Sequence, residues 1–329
     1  MFELTVQDLV KGLRSHAHNE QAFVSDALRD IKTELVSSDV VIKTQALEKL
    51  VYLQMLGIDI SWASFFIVEV MNLPWFGHKR IGYLAAQQSF TKHTEVSLLT
   101  VHFFKTVLTK VPSPALFGIS SASSGWMYEK GSALACLARI SNPTLAESLL
   151  YDVVSCFSSS QPFVVKKAIL CTYRLLEDFP IALRDVYERL KERINHEDMS
   201  VSVAAVQVFC ELARKNPKNY PPLVPLLYHI LTTSTNNWIL IKVVKTFGLL
   251  IPAEPRIPEK LLPSLLNLVR TTNAKSLMFE CIQTIICGLP FIASKDISQP
   301  AVELCVDKLR ELLNDPDPNR ILFFLWKLT

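Results

Sequence analysis

The sequence has few of the residues that nucleotide, metal and disulfide sites require. Only 9 of its 329 residues are glycine, and none stands in a loop pattern that would let the backbone approach a phosphate. No CxxC pair and no HExxH motif occurs, and most of the seven cysteines lie inside apolar runs such as LACLA and VFCEL. These absences argue against a nucleotide-binding enzyme, a zinc site or a disulfide framework. They predict buried, reduced thiols, no cofactor and no catalytic residue.

Long runs of one charge or of apolar residues are also lacking. The net charge is only +3, with 34 basic and 31 acidic residues, and no long basic run that would indicate nucleic-acid binding. The uncharged stretches 111–128 and 219–241 are interrupted by Pro, Ser, Gly or Asn, whereas a membrane-spanning helix needs about 20 consecutive apolar residues. Composition therefore predicts a soluble, ordered protein that does not bind nucleic acid.

Apolar residues recur instead with the period of an α-helix. In residues 46–53 and again in 201–212, they fall three or four positions apart. Ser200 is an N-cap type of residue ahead of the second stripe. Asn-Pro and Asp-Pro turns separate segments of about 12 to 18 residues, and strand-type alternation is scarce. The predicted class is all-α, with Trp62, Phe65 and Phe66 assigned to the core between helices.

A longer repeat connects these helices. A turn-forming or polar residue is followed about five positions later by a basic residue and then by an amphipathic helix. Lys43 and Arg80 are 37 positions apart, as are Lys130 and Lys167, and further markers are Lys242 and Arg320. Periods of about 37 to 40 are typical of HEAT- and armadillo-type repeats. The sequence therefore predicts an α-solenoid of about seven to eight helix pairs, which forms one continuous trunk.

Two segments depart from the repeat. Residues 111–128 are rich in Ser, Pro and Gly and account for the longer interval between Arg80 and Lys130, so they are interpreted as an inserted loop. Residues 321–329 are almost wholly apolar, whereas a solenoid normally ends with a polar outer face. We therefore assign the trunk to residues 1–320 and interpret residues 321–329 as an atypical tail produced by truncation.

Five segments resemble the large subunits of the heterotetrameric clathrin-adaptor complexes. They are residues 50–71, 78–90 (HKRIGYLAAQQSF), 164–170, 210–220 and 234–257. Within that family, the Asn236-Asn237-Trp238 element and the stretch 252–256 (PAEPR) resemble the delta subunits of adaptor complex three. The resemblance covers residues 1–110 and roughly 129–319, and it fails in the Ser-rich insert and in the last ten residues.

The resemblance implies a scaffold of a vesicle coat. The chain would correspond to the first part of a large-subunit trunk, which binds the small sigma subunit in a complex with beta and mu subunits. Such complexes select cargo tails bearing sorting signals and carry them from the Golgi or endosomes to the lysosome or vacuole. The resemblance implies a cytoplasmic protein, peripheral on the cytosolic face of trans-Golgi or endosomal membranes. It also implies no enzymatic activity, and no hinge or appendage within this chain.

One candidate cargo residue follows from the resemblance. Arg14 occupies the position at which related large subunits offer an arginine to the acidic residue of an acidic-dileucine signal. A guanidinium suits that role because it holds a carboxylate through two hydrogen bonds. The alternative is an ordinary solvated arginine on an amphipathic helix.

The basic repeat markers have two interpretations. Lys43, Lys79 and Arg80 would contact an acidic partner surface or anionic lipid headgroups if their side chains are free. Alternatively, each base pairs with an acid of an adjacent repeat, as Asp39 could with Lys43 or Arg80. We favour the internal pairing.

Two other functions remain open from the sequence. One is an unrelated HEAT-repeat scaffold or transport receptor, which would lack the KRIGYL and Asn236–Trp238 elements. The other is an enzyme built on a helical frame, which would need clustered ionisable residues. The seven histidines are scattered, and no such cluster is evident in the sequence.

Overall fold

The protein is all helical in the residues that its structure describes. A computed structural model describes residues 5–16, 18–110, 121–314, 316–318 and 321, with side chains for all of these except 121–124 and 295. Within those ranges the chain forms sixteen α-helices and no strand, so the predicted all-α class is confirmed. The chain divides into two compact units, Met1–Arg193 and Ile194–Thr329. The single trunk over residues 1–320 stays a prediction.

The first unit stacks four helix pairs. Its helices are α1 (Val6–Ser15), α2 (Glu20–Leu35), α3 (Val40–Met55), α4 (Ser64–Met71), α5 (Phe76–Ser89), α6 (Val101–Thr109), α7 (Ser121–Ile140), α8 (Pro143–Ser155), α9 (Pro162–Asp178) and α10 (Leu183–Glu192). The pairs are α2–α3, α4–α5, α6–α7 and α8–α9, and their second members pack in the order α3, α5, α7, α9. Sequential pairs that share one core are the architecture of an α-solenoid.

Helices α5 and α7 run parallel within that layer. The thiol of Cys136 lies 3.6 Å from the carbonyl oxygen of Tyr83. One turn further along both helices, Nε of Arg139 donates to the carbonyl oxygen of Gln87 at 3.4 Å. Because both positions advance together, the two helices point the same way. The second helices α3, α5, α7 and α9 form one layer, in which α5 and α7 are parallel neighbours.

The second unit has the same arrangement. Its helices are α11 (Met199–Lys215), α12 (Val224–Thr233), α13 (Asn237–Leu250), α14 (Ile257–Thr271), α15 (Lys275–Gly288) and α16 (Lys295–Leu313). Helices α11, α13 and α15 pack in succession, while α12 and α14 cover α13 and α15. Together the two units contain the number of helices predicted for seven to eight pairs, and the α-solenoid class is confirmed.

Capping residues explain the repeat seen in the sequence. Asp39, Asn142 and Asn236 precede α3, α8 and α13, and each accepts a hydrogen bond from a backbone N–H in the first turn of its helix. Before α11 the cap is Asp198, which accepts from the backbone N–H of Ser200 at 2.8 Å. Ser200 is therefore not the N-cap but the second residue of the helix. The polar residues that mark each repeat are helix starts.

Two sequence interpretations differ from the structure. Helix α7 begins at Ser121, so residues 121–128 are helical and not part of an inserted loop, while 111–120 lie outside the described residues. Ser and Gly have weak helix propensity, but tertiary packing overrides it: the ring of Tyr128 lies 5.8 Å from that of Phe163. Trp62 and Phe65 are 38% and 67% exposed, so they are not core residues.

The cysteines are placed as predicted. Within the described residues all seven are free thiols, and six of them are buried, Cys287 being exposed. No helix in the described ranges is long and apolar enough to cross a bilayer. Residues 322–329 lie outside the described residues, and so does Arg320.

Candidate partner-binding surface

The layer of second helices in the first unit carries an open groove. Met55 of α3, Leu84 of α5, and Ala135 and Ala138 of α7 line a depression of about 690 Å³. Met55 is 69% exposed and Leu84 is 45% exposed. Gln54, Gln87, Gln88 and Arg139 complete the lining, and together these eight residues are called the α3–α7 groove.

Small side chains on α7 create the groove. Ala135 and Ala138 face it, whereas Leu134 and Leu137 point into the core and are fully buried. Two alanines one turn apart leave a gap that larger residues on α3 and α5 do not fill. In the described part of the chain, the side-chain oxygen of Gln88 is buried there without a hydrogen-bond donor. A buried acceptor without a partner is costly, and what the groove exposes to a partner is its apolar area.

The basic repeat markers lie on successive helices of the layers. Lys43 is the fourth residue of α3, Arg80 the fifth of α5, and Lys167 and Lys242 the sixth of α9 and α13. Lys130 is the tenth residue of α7, because α7 starts earlier than the sequence suggests. The basic residue therefore marks a similar position near the start of each of these helices. In α7 it lies one helical turn or more further along.

Two of the three candidate cations are occupied by internal ion pairs. Lys43 pairs with Glu69 of α4, not with Asp39, because the Asp39 carboxylate caps α3. Lys79 is only 8% exposed, and its ammonium lies 2.6 Å from Glu129 of α7. Both lysines therefore satisfy carboxylates within the chain. This placement argues against Lys79 as a direct contact for a partner or a lipid.

Lys79 and Glu129 form the centre of a buried polar cluster. Lys110 approaches the second oxygen of Glu129 at 3.6 Å, and the Lys79 ammonium lies 5.4 Å from the centre of the Phe103 ring. The hydroxyl of Tyr83 is buried without a hydrogen-bond partner among the described residues. Burial raises the pKa of Tyr83, and the nearby Glu129 charge raises it further. This cluster ties α5 to α7 and holds no catalytic arrangement.

The remaining cations lie nearer the surface. Arg80 is exposed and has no ion-pair partner among the described residues. Lys130 lies over the Trp126 ring at 5.0 Å and Lys167 over the Phe163 ring at 5.9 Å. Burial lowers the pKa of Lys130. Pairing with acids, the interpretation that the sequence favoured, thus describes Lys43 and Lys79 but not Arg80.

Arg14 lies at the end of the first helix. Its side chain is exposed in the last turn of α1, where a cation complements the helix dipole, and no described carboxylate lies within ion-pair distance. Leu9 and Leu13, on the opposite side of α1, are buried. The guanidinium is therefore accessible, which is compatible with either interpretation made from the sequence.

No group in the described residues forms a reactive cluster. The structure holds no set of three or more His, Cys, Asp or Glu side chains placed to bind a metal there. Burial raises the pKa of Cys281 to about 12 and that of Cys305 to about 11, and it raises the pKa of the Cys136 and Cys171 thiols as well. Such thiols stay protonated and make poor nucleophiles.

Comparison with known proteins decides between the scaffold families. Residues 20–324 match the family described as the adaptin N-terminal region. The chain belongs to the adaptin N-terminal family. The matched range includes residues 111–128 and extends past residue 319, where the sequence resemblance failed, but it begins at residue 20 and not at residue 1.

Relatives that are 35–44% identical to this chain are delta subunits of AP-3 complexes. The AP-3 complex subunit delta of Schizosaccharomyces pombe is 44% identical over 321 residues, which is 97% of this chain and 37% of that protein. The AP-3 complex subunit delta-1 of Bos taurus is 43% identical over 320 residues, again 97% of this chain but 25% of the relative. The predicted resemblance to delta subunits is confirmed.

A structure of the AP-3 complex agrees with this assignment. A homology model of the full-length AP-3 complex, in an intermediate open conformation, has a chain that is 34% identical, with a TM-score of 0.70. The match covers 88% of this chain and 48% of that one. The chain thus spans a quarter to a half of the proteins that it matches here. Those relatives are named as subunits of an adaptor complex and not as enzymes, in line with the non-catalytic role that the sequence predicts.

Proposed function

We propose that this chain is the scaffold portion of an AP-3 delta-type large subunit and that it binds the small sigma subunit through the α3–α7 groove. The observation that carries the proposal is the exposed apolar lining of that groove, in an adaptin whose relatives are named as subunits of a complex. Exposed apolar area with a polar rim is typical of protein interfaces.

The rest of the complex follows from the same assignment. Beta and mu subunits would complete it, and it would associate peripherally with the cytosolic face of trans-Golgi or endosomal membranes. There it would help to select cargo for the lysosome or vacuole. In this proposal Arg14 binds the acidic residue of an acidic-dileucine tail, and Arg80 contributes a charge beside the groove because it lies one turn before Leu84 on α5.

Co-expression with sigma subunits tests the proposal. We expect the chain to purify stably with an AP-3-type sigma subunit and not with an AP-1-type sigma. Replacing Met55 and Leu84 together by Glu places charge in the groove, which should weaken sigma binding at least 100-fold. The matched control is Ile181→Glu, because Ile181 is an apolar residue of the same unit that is 81% exposed and does not line the groove.

Two results would contradict the proposal. Sigma binding by the Met55→Glu, Leu84→Glu variant as tight as by the native chain would exclude the groove. Failure to bind any sigma subunit would remove the scaffold assignment itself. Thermal unfolding of each variant shows whether it is folded.

The cargo role of Arg14 needs its own measurement. In the assembled complex, Arg14→Ala should weaken an acidic-dileucine peptide at least tenfold, and Arg14→Lys should recover only part of the loss, since lysine cannot hold a carboxylate bidentately. Lys11→Ala is the control, because Lys11 is an exposed cation of the same helix. Equal affinity of the Arg14→Ala and Lys11→Ala complexes would leave Arg14 as a solvated arginine.

A further inference from the structure

A second cavity lies in the second unit, away from the residues used above. It has a volume of about 750 Å³ and is bounded by α12, by α14 and by the turn that precedes α14. The side chain of Phe247, from α13, forms its floor. Its size is within the range of about 300–1,000 Å³ found for ligand sites. It is called the α12–α14 cavity.

Rigid apolar groups form the walls of the cavity. Pro221 and Pro225 lie on the α12 side beside Val224 and Tyr228, and Tyr228 is 39% exposed. The hydroxyl of Tyr228 lies 3.2 Å from that of Ser264, which fixes the ring between α12 and α14. Proline rings and a held tyrosine lose little conformational entropy when a ligand packs on them. The walls are therefore suited to an apolar side chain of a partner.

Two basic side chains, those of Arg256 and Lys260, lie on the α14 side of the cavity. Arg256 is the N-cap of α14 and Lys260 lies one turn later, so their side chains emerge from the same face of the helix. Both are exposed, and neither has a carboxylate within ion-pair distance in the described parts of the chain. Glu254 also lines the cavity but pairs with neither. Two uncompensated cations in the first turn oppose the helix dipole, so an anion would be favourable there.

We propose that the α12–α14 cavity binds a short, extended segment of a partner protein that carries an apolar side chain next to an acidic one. The apolar side chain packs between Val224, Pro225 and Tyr228. The carboxylate pairs bidentately with Arg256 and is supported by Lys260. The stretch 252–256, which resembles delta subunits in the sequence, contributes Glu254 and Arg256 to this site. The site does not depend on sigma binding by the first unit.

Fluorescence anisotropy with the full chain tests the inference. The probe is a labelled peptide, Gly-Ser-Asp-Glu-Leu-Phe-Asp-Glu-Ser-Gly, compared with one in which Lys replaces each acid and one in which Ser replaces Leu and Phe. We expect saturable binding of the first peptide and at least tenfold weaker binding of the other two. Equal binding of all three, or no saturable binding of the first, would overturn the proposal.

Substitutions then test whether the peptide binds in the cavity. The double variant Arg256→Glu, Lys260→Glu should weaken the first peptide at least tenfold. Val224→Trp fills the cavity without changing charge and should weaken it as much. Arg270→Glu is the matched control, because Arg270 is an exposed cation at the other end of α14. Native affinity in both the charge variant and the filled variant, each with a native melting temperature, would contradict the assignment. A loss of sigma binding in the groove variants has no bearing on this result.

Discussion

Within the described residues, five ion pairs of the first unit join residues at least 15 positions apart in the chain, whereas three ion pairs of the second unit join residues three apart on one helix. The pairs of the first kind each have at least one partner whose side chain is at most 12% exposed, and they are Lys43–Glu69, Lys49–Glu34, Lys79–Glu129, Lys92–Asp178 and Lys110–Glu129. Arg214–Glu211, Lys308–Glu311 and Arg310–Asp307 are of the second kind.

The difference shows two uses of charge in one kind of fold. A buried pair such as Lys79–Glu129, between the parallel helices α5 and α7, fixes which residues of neighbouring repeats face each other, at a large cost if one partner is lost. In the second unit a neutral hydrogen bond joins two neighbouring helices in the same way. The hydroxyl of Thr284 in α15 donates to the carbonyl oxygen of Val244 in α13 at 3.2 Å. Its cations at Arg256 and Lys260 remain available to a partner.

The largest expected effect comes from breaking the buried pair. Glu129→Ala leaves the ammonium of Lys79 buried without a carboxylate, so we expect the free energy of unfolding to fall by about 3–5 kcal/mol. Glu311→Ala, which removes an exposed carboxylate paired with Lys308 on one helix of the second unit, should cost less than about 1 kcal/mol. Urea unfolding measures both.

A double substitution sharpens that result. Lys79→Met with Glu129→Leu removes both charges, and it should recover most of the stability lost in Glu129→Ala because a packed apolar pair can replace a buried ion pair. A Glu129→Ala chain that is as stable as the Glu311→Ala chain would remove the distinction between the two units.

Glycines at helix contacts give the next largest difference. A methyl group on Gly82 would lie 2.7 Å from the backbone nitrogen of Met71, so Gly82→Ala should cost about 1–3 kcal/mol. The same change at Gly248 meets only the Thr284 hydroxyl at 3.3 Å, and alanine favours the helix. We expect Gly248→Ala to change the free energy of unfolding by less than about 1 kcal/mol. Equal losses at both sites would show that α4 and α5 tolerate separation.

The sequence predicted the stacked helices, but it did not show which charged side chains lack an ion-pair partner. The period between Lys43 and Arg80 identified the stacked helices, because each repeat must bury the same face. Lys79 and Arg80 are adjacent in the sequence, yet one is buried and the other exposed, since successive residues of a helix point about 100° apart. Only the packing of α7 on α5 reveals which of them has a partner.

The α12–α14 cavity and the start of α7 were missed for a related reason. No periodic signal marks a cavity formed by prolines from one helix and a turn before another. The Ser- and Gly-rich residues before Trp126 have weak helix propensity and therefore indicated a loop. That prediction was wrong because tertiary contacts supply most of a helix's stability.

Buried thiols test whether the two units also differ in their cores. Burial raises the pKa of Cys281 from 9.0 to about 12, so the unfolded chain loses this proton first as the pH rises. The stability that the neutral thiol contributes is complete below pH 9 and is lost as the pH rises towards 12. Between pH 8 and 9.5, the native chain should lose about 1 kcal/mol more than Cys281→Ala.

The same measurement in the first unit is the comparison. Burial also raises the pKa of Cys171, so Cys171→Ala should flatten the pH dependence as Cys281→Ala does. Unfolding in urea at each pH provides the data. Parallel pH profiles for the native chain and both variants would show that these thiols are not desolvated.

The smallest expected effect is on the rate of thiol labelling, since modification of an exposed cysteine should leave stability unchanged. Cys287 is exposed on α15, whereas the other six cysteines are buried. A disulfide reagent should therefore modify one thiol rapidly in the native chain, and Cys287→Ser should abolish that fast phase. A fast phase that survives in Cys287→Ser would mean that another helix opens readily.

The central claim is that the α3–α7 groove of the first unit is the surface that binds a sigma subunit. Hydrogen–deuterium exchange of the chain with and without an AP-3-type sigma subunit tests it most directly. The account predicts slower exchange over residues 47–56, 80–89 and 132–140, and no such change with an AP-1-type sigma. Protection confined to the second unit, in a complex that does form, would contradict it.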